Sequence, residues 1–291
     1  MGTLYLVSTP IGNLGDVTRR AAEILASVSR ILAEDTRRTR KLLSHLGIST
    51  PLSSLHAHNE ASREAEVLGW LAGGEDLALV SDAGTPLVSD PGHRIVAAAL
   101  DAGYRVVPVP GPSAVLAALV ASGLPSDRFS FLGFLPRKGP ERAELLERIA
   151  SCPDTTILFE SPERTGPLLE ALVEACGPER RAVVGRELTK LHEELVRGTL
   201  GELKGRFGEK SPRGEVTVVV EGALPREDSP QADEAAVRAL AAALLEEGMA
   251  PSRVAREVAR RLKLPRNRVY RIVQDLPGAH SGHAGQGRDR G

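Results

Sequence analysis

The sequence predicts an α/β protein, two α/β halves in succession with a helical appendage after them. Three observations carry this. Short apolar, β-rich runs at 3–7, 29–33, 77–80 and 105–109 alternate with helically spaced segments as far as residue 121. That alternation argues for a parallel sheet with helices on both faces, because parallel neighbours need crossover connections. The alternation resumes at 129–134, 155–160, 181–186 and 215–220. Beyond residue 232 the β-rich runs stop, and three helical patterns follow, the last two rich in Arg.

In order, the run 3–7 breaks at Ser8-Thr-Pro-Ile-Gly-Asn-Leu-Gly15, and Asp16 is placed to cap a helix reaching residue 26. The strand at 29–33 ends at Glu34-Asp35-Thr36 and leads into a basic helix over 37–46, stopped by Gly47. Residues 53–59 read as irregular, and 60–72 as a helix closed by Gly73-Gly74. The run Leu77-Ala-Leu-Val80 stops at Ser81-Asp82-Ala83-Gly84-Thr85-Pro86. A second turn, Ser89-Asp90-Pro91-Gly92, precedes a helix over 93–102. Asp, Gly and Pro break a ladder, so this is a strand delivering its end into loops. In open parallel sheets the ligand crevice lies beyond the carboxyl ends of the strands. Residues 9–16 and 108–114 are two more segments of the same kind, and their agreement marks the site.

A boundary is placed at Ser122, giving halves 1–122 and 123–223. The second half carries helices at 140–150, 162–176 and 200–207 and a short strand at 193–198. Residues 224–232 read as a linker, 233–276 as a basic, helix-turn-helix-like module, and the Gly/His/Arg-rich tail 277–291 as disordered.

Composition narrows the class. The 291 residues carry a formal charge of −1, so overall charge points to neither nucleic acid nor membrane. Cys152 and Cys176 are the only cysteines and form no CxxC, which fits two buried, reduced thiols rather than a disulfide framework. No apolar run approaches the ~20 residues needed to cross a bilayer, and the N-terminus enters a strand without a basic leader and cleavage site. The expectation is a soluble cytoplasmic protein without a membrane partner.

Seven motifs then coincide in order: VSTPIGNLGD at 7–16, AEDTR at 33–37, the double turn at 81–92, PGPSA at 110–114, GFLP at 133–136, FESP at 159–162 and GRELTK at 185–190. Together, over roughly 3–222, they resemble the tetrapyrrole methylase superfamily of S-adenosylmethionine (SAM) enzymes. They resemble most its RNA-directed branch, which 2′-O-methylates a cytidine in the decoding region of 16S ribosomal RNA. The loop Thr9-Pro-Ile-Gly-Asn13 is less Gly-rich than in tetrapyrrole-modifying members, which favours the RNA branch and leaves Gly12 as the glycine to carry over. The resemblance implies SAM in a cleft between the halves. It implies binding by Pro10, Gly12, Asp82, Ala83, Gly84, Thr85, Pro86, Ser113 and Ala114 from the first half, and by Leu158, Leu188, Gly214 and Glu215 from the second. It also implies a homodimer, and 16S rRNA or the small ribosomal subunit as partner.

Methyl transfer to a ribose hydroxyl is an in-line displacement in which the protein supplies alignment and excludes water. A weakly acidic 2′-hydroxyl is helped by a nearby base. The strand-end candidates are Glu34, Asp35, Glu160, Glu187 and Lys190, with Asp35 and Glu187 ranked first. Arg37, Arg38, Arg40 and Lys41 would hold phosphate beside Asp35. A metal is not expected: His56 and His58 have no Cys nearby and no second His pair at ligand spacing. In the C-terminal module Arg253, Arg256, Arg260, Arg261, Lys263, Arg266, Arg268 and Arg271 face a single acid, Glu257, across 251–271, an electrostatic footprint for RNA. Two alternatives remain open on the residues alone: a small-molecule tetrapyrrole methylase and a ligand-sensing DNA-binding regulator.

Overall fold

A computed structural model of the chain describes residues 1–208, 212–223, 230–247, 249–262, 264 and 266–276, with backbone alone at 230–233 and 266–268. It divides into two compact units, Met1–Leu224 and Pro225–Gly291.

The first unit opens with β1 (Thr3–Val7), α1 (Arg19–Ser27), β2 (Arg30–Ala33), α2 (Thr36–Leu46), β3 (Leu52–Ser54), α3 (Glu60–Ala72), β4 (Leu77–Val80), α4 (His93–Asp101), β5 (Arg105–Val109) and α5 (Ala114–Ser122). The sheet runs β3-β2-β4-β1-β5 and every pairing in it is parallel. All of its strands therefore end at one edge. Because β4, β1 and β5 are adjacent, the loops that follow them lie side by side. Helices cover both faces. Ala21, Leu25 and Leu43 of α1 and α2 pack on Val7, Ala33 and Val80, while Val67, Leu71, Ile95 and Ala99 of α3 and α4 pack on Leu4, Leu32 and Leu79. Alternation along the strands explains the split: Leu77 and Leu79 face one layer, Ala78 and Val80 the other.

Local differences from the sequence reading have simple causes. Leu14–Asp16 forms a 3-10 turn, so Asp16 does not cap α1; Thr18 does, its hydroxyl accepting from the Ala21 N–H at 3.1 Å. Residues 52–54 pair with β2 as an edge strand instead of lying irregular, three residues being too few to show a period. Cys152 and Cys176 are free but only partly buried.

The unit continues with β6 (Phe129–Phe134), α6 (Pro140–Ser151), β7 (Thr155–Glu160), α7 (Pro162–Cys176), β8 (Arg181–Arg186), β9 (Glu194–Thr199), α8 (Leu200–Phe207) and β10 (Val216–Val220). These make a second sheet, β6-β7-β10-β8-β9. It is mixed: β6 and β7 are parallel, and every other pair is antiparallel. This arrangement puts the ends of β6, β7 and β8 and the start of β10 at one edge. Helices α6, α7 and α8 cover one face, with Leu158, Leu168, Leu169, Leu172, Leu203 and Val218 in the core between. The opposite face receives α5, through Val115, Ala118 and Leu119 on Ile157, Val183 and Val219. Helix α5, sequentially the last element before Gly123, thus packs on the second sheet. That packing places the strand-end loops of both sheets around one cleft.

The second unit contains α9 (Pro230–Glu246), α10 (Pro251–Leu262) and α11 (Arg266–Gln274). Val237, Ala241 and Leu244 pack with Val254, Val258, Val269 and Val273 in a small core of its own. The tail 277–291 and most of the expected linker lie outside the described residues, and α9 begins at Pro230, inside the range read as linker.

Candidate active site

The three loops of the first sheet are tied directly to one another. Thr9 and Gly84 exchange backbone hydrogen bonds, with Thr9 N donating to Gly84 O at 2.9 Å and Gly84 N to Thr9 O at 3.0 Å. The Thr85 hydroxyl donates to Pro112 O at 3.2 Å, and the Ser8 N–H to Val109 O at 3.3 Å. Gly84, at φ +83°, turns the chain with Ile11 packed 3.2 Å from where a Cβ would stand. Leu87 (φ 72°) and Ser89 (φ 67°) hold the left-handed conformation without being glycine. Such strain clusters at ligand sites, where surrounding structure holds it.

Between these loops and the edge of the second sheet lies a cleft of about 500 Å³. Of the SAM residues implied by resemblance, Ala83, Gly84, Thr85, Ser113, Ala114, Gly214 and Glu215 line it. Pro10, Asp82 and Pro86 sit in the same loops but do not line it. Asp82 accepts from the Asp35 N–H at 2.9 Å and lies 3.6 Å from Arg38, joining the β4 loop to the start of α2. Gly12 also stands off the cleft. A Cβ there would lie 2.3 Å from Lys190 Cγ, so the glycine admits the Lys190 side chain from the second sheet rather than a ligand. The Leu158 side chain is fully buried on the helix side of the second sheet; its neighbour Phe159 faces the cleft, as strand alternation requires. Leu188 is in the apolar layer between α5 and the second sheet.

The two carboxylates ranked first behave differently. Asp35 caps α2, accepting from the Arg37 N–H at 2.8 Å, and its bonds to the Arg37 guanidinium bring its carboxyl down to about 2. It does not line the cleft, and a carboxylate so stabilised is a weak base. Glu187 does line it, at φ 50°. Lys190 Nζ donates to its Oε1 at 2.9 Å and the Glu215 N–H to the same oxygen at 3.2 Å. The Lys190 bond holds it below the ordinary carboxylate range. Glu160 is buried, bonded to the Ser161 N–H and paired with Arg164 at 3.1 Å.

Sequence reasoning did not rank Asp90 among the site residues, though it stands in the double turn at 81–92. It lines the cleft, and burial, then the nearby Glu34 carboxylate, push its carboxyl up to about 6 against a bond from Ser81. Glu34 is raised as well, by burial and then by Asp82, with Arg38 and His56 opposing. The available signal was a second Asp in the same double turn; its burial was not written in the sequence.

Comparison with known proteins follows the same line. The model of the family Tetrapyrrole (Corrin/Porphyrin) Methylases matches residues 3–204. A ribosomal RNA small subunit methyltransferase I of Synechocystis sp. is 48% identical over 276 residues, covering 95% of this chain and 99% of that protein. The protein of the same name from Escherichia coli O157:H7 is 43% identical over 279 residues, covering 95% and 96%. The chain belongs to the tetrapyrrole methylase family, in its ribosomal RNA small subunit methyltransferase I group. The family fold is also met in a uroporphyrin-III C-methyltransferase from Thermus thermophilus solved with S-adenyl homocysteine. It has a TM-score of 0.54 at 19% identity, over 75% of this chain and 97% of that one. The family model ends at residue 204, short of the unit built from α9, α10 and α11, whereas the two relatives are matched over 95% of this chain.

The RNA-facing candidates divide between the two units. Arg37, Arg38 and Arg40 are exposed on α2, as is Lys41 beside them. In the second unit Arg253 and Arg256 are exposed without a carboxylate partner among the described residues. Arg260 and Arg261 both pair with Glu257, whose carboxyl those bonds bring down to about 2. Lys263 lies outside the described residues, and of Arg266 and Arg268 only the backbone is described.

Proposed function

We propose that this chain transfers a methyl group from SAM to the 2′-hydroxyl of a cytidine in 16S ribosomal RNA. The observation that carries the reading is near-full-length identity of 48% to a ribosomal RNA small subunit methyltransferase I. The cleft agrees with it, being of a size found in small-molecule sites (roughly 300–1,000 Å³).

The residues present fit SAM. Ala114 and Val115 open α5 at the cleft wall, and the first N–H groups of a helix have no intrahelical partner, which suits a carboxylate. Backbone at Ala83–Thr85 and Gly214–Glu215 offers polar groups, while Val88, Phe159 and Val216 give apolar walls. Bound there, SAM supplies an electrophilic methyl on a sulfonium. The chain itself aligns the ribose, keeps water out and receives a proton. Asp90 is the best-suited proton acceptor, since it lines the cleft and a carboxyl near 6 is ionised at neutral pH yet more basic than Asp35 or Glu187. Glu187 acts with Lys190 as a fixed clamp beside Gly214.

The finer readings are part of the same proposal. The protein works in the cytoplasm, where small subunits are made, and as a homodimer. Leu116 and Val120, one turn apart on α5, are both more than half exposed and form an apolar stripe suited to a second copy. The test is labelled methyl transfer from SAM to purified small subunits lacking the modification, followed by nucleoside analysis. Labelled 2′-O-methylcytidine is the expected product. No transfer despite SAM binding would overturn the RNA assignment and favour a small-molecule methylase.

A further inference from the structure

The connection from β6 to α6, residues 135–139, adds no side chain to the cleft lining, yet together with Phe134 at the end of β6 it carries an unusual surface beside the cleft. Phe134 ends a strand, lines the cleft and is still 55% exposed. A register shift in the β6–β7 pairing produces this: Phe131 pairs with Ile157 but Phe134 with Phe159, so three steps on one strand match two on the other. An extra residue of this kind re-aims a side chain. Here it sets Phe134 5.7 Å from Phe159, which Phe131 meets from another side at 4.8 Å. The result is a small aromatic cluster, its rings edge-on and tilted to one another, with the Phe134 ring open to solvent.

Directly beyond lies a second pocket, lined by Arg137, Arg142 and Arg164 with Ser161, Glu163 and Pro167. Ser161 lines both cavities, so they adjoin. Arg164 is anchored to Leu135 O at 2.6 Å and neutralised by Glu160, and Arg142 is fixed by donating one Nη to Pro136 O at 3.0 Å. Among the described residues Arg137, Lys138 and Arg142 have no carboxylate within 4.0 Å. Two guanidinium groups are therefore free to bind an anion, opposed only by the exposed Glu163. An open ring and, next to it, unpaired guanidinium groups match a nucleotide's own layout of flat base and adjoining phosphate.

We propose that this loop is a nucleotide clamp for single-stranded RNA, with Phe134 stacking a base at the cleft mouth and Arg137 and Arg142 holding a neighbouring backbone phosphate. The assignment rests on the RNA reading above and says which strand-contacting groups serve it. Unstacked bases of single-stranded RNA are commonly held on aromatic rings in this way.

The experiment measures affinity of the full chain for small-subunit rRNA across a salt titration, with thermal melting as the check of fold. For R137Q/R142Q the slope of log K against log salt should fall by about 1.4, two contacts at ~0.7 each for a single strand. R137K/R142K, which keeps the charges, should restore most of it. F134L should lose roughly 5- to 150-fold in affinity with the slope unchanged. Inorganic phosphate should compete only weakly. An unchanged slope in the Arg double variant, unchanged affinity in F134L, or tight phosphate binding that RNA does not displace would overturn the clamp. Because the readout is binding, loop-dependent RNA affinity without methyl transfer would support the clamp while bringing down the methyltransferase reading.

Discussion

Replacing Asp90 by Asn separates the chemistry of the cleft from its stability, because the two move in opposite directions. In the folded protein the Asp90 carboxyl stands at about 6 against an ordinary 3.8. That difference corresponds to about 3 kcal/mol against the ionised form. The group is only half-buried, and solvent screening leaves about 1.5 kcal/mol of that. The folded value lies above the unfolded one, so between about pH 4 and 6 the folded state binds more protons. Stability therefore falls as pH rises through this window, and the full penalty is present above it. Asn carries no charge, can accept the Ser81 hydrogen bond and no longer opposes Glu34. D90N should melt about 3–6 °C higher than the parent near pH 8, and the advantage should vanish near pH 4. Catalysis should go the other way. Loss of a general base costs about 10²- to 10⁴-fold, and the acid limb of the rate profile near pH 6 should disappear. Single-turnover methyl transfer to small subunits between about pH 5 and 9, with melting curves over the same range, reads both effects. A D90N enzyme that keeps the parental rate, or the same acid limb, would refute the role of Asp90.

Other outcomes follow from geometry elsewhere. Gly214→Ala puts a Cβ 2.0 Å from Glu187 Oε1 at a φ of +82°, so it should break the Glu187–Lys190 clamp and weaken SAM binding about tenfold or more, measured by calorimetry. Thr199→Ala removes a complete capping box at α8, whose residues do not reach the cleft; melting should drop about 2–4 °C with kcat unchanged. R253Q/R256Q should lower RNA affinity uniformly across sequences and flatten its salt dependence by about 1.4. R260Q should do less, since Glu257 already holds that arginine.

What the sequence made legible was whatever is local. Strand ends, caps and stops depend on a few neighbouring residues, so β1, β4, β5, β6, β7 and β8 fall where the apolar runs place them, and Gly47 stops α2 in the left-handed conformation. What escaped depends on partners far away in the chain. Strand order decides which loops meet, and β3 is a strand only because β2 lies alongside. The mixed pairing of the second sheet, not any motif, brings Glu160, Glu187 and Gly214 to one edge. Alternation then sends Phe159 into the cleft and Leu158 away from it. Charge follows the same division. Asp35 and Asp90 are both acids at strand-end turns, indistinguishable by type or spacing. One lies beside Arg37 and is held ionised to about 2, while the other is half-buried beside Glu34 and retains its proton to about 6. A base is defined by that difference. The double turn at 81–92 folds back so that Gly84 is stitched to Thr9 while Asp90 is carried into the cleft lining.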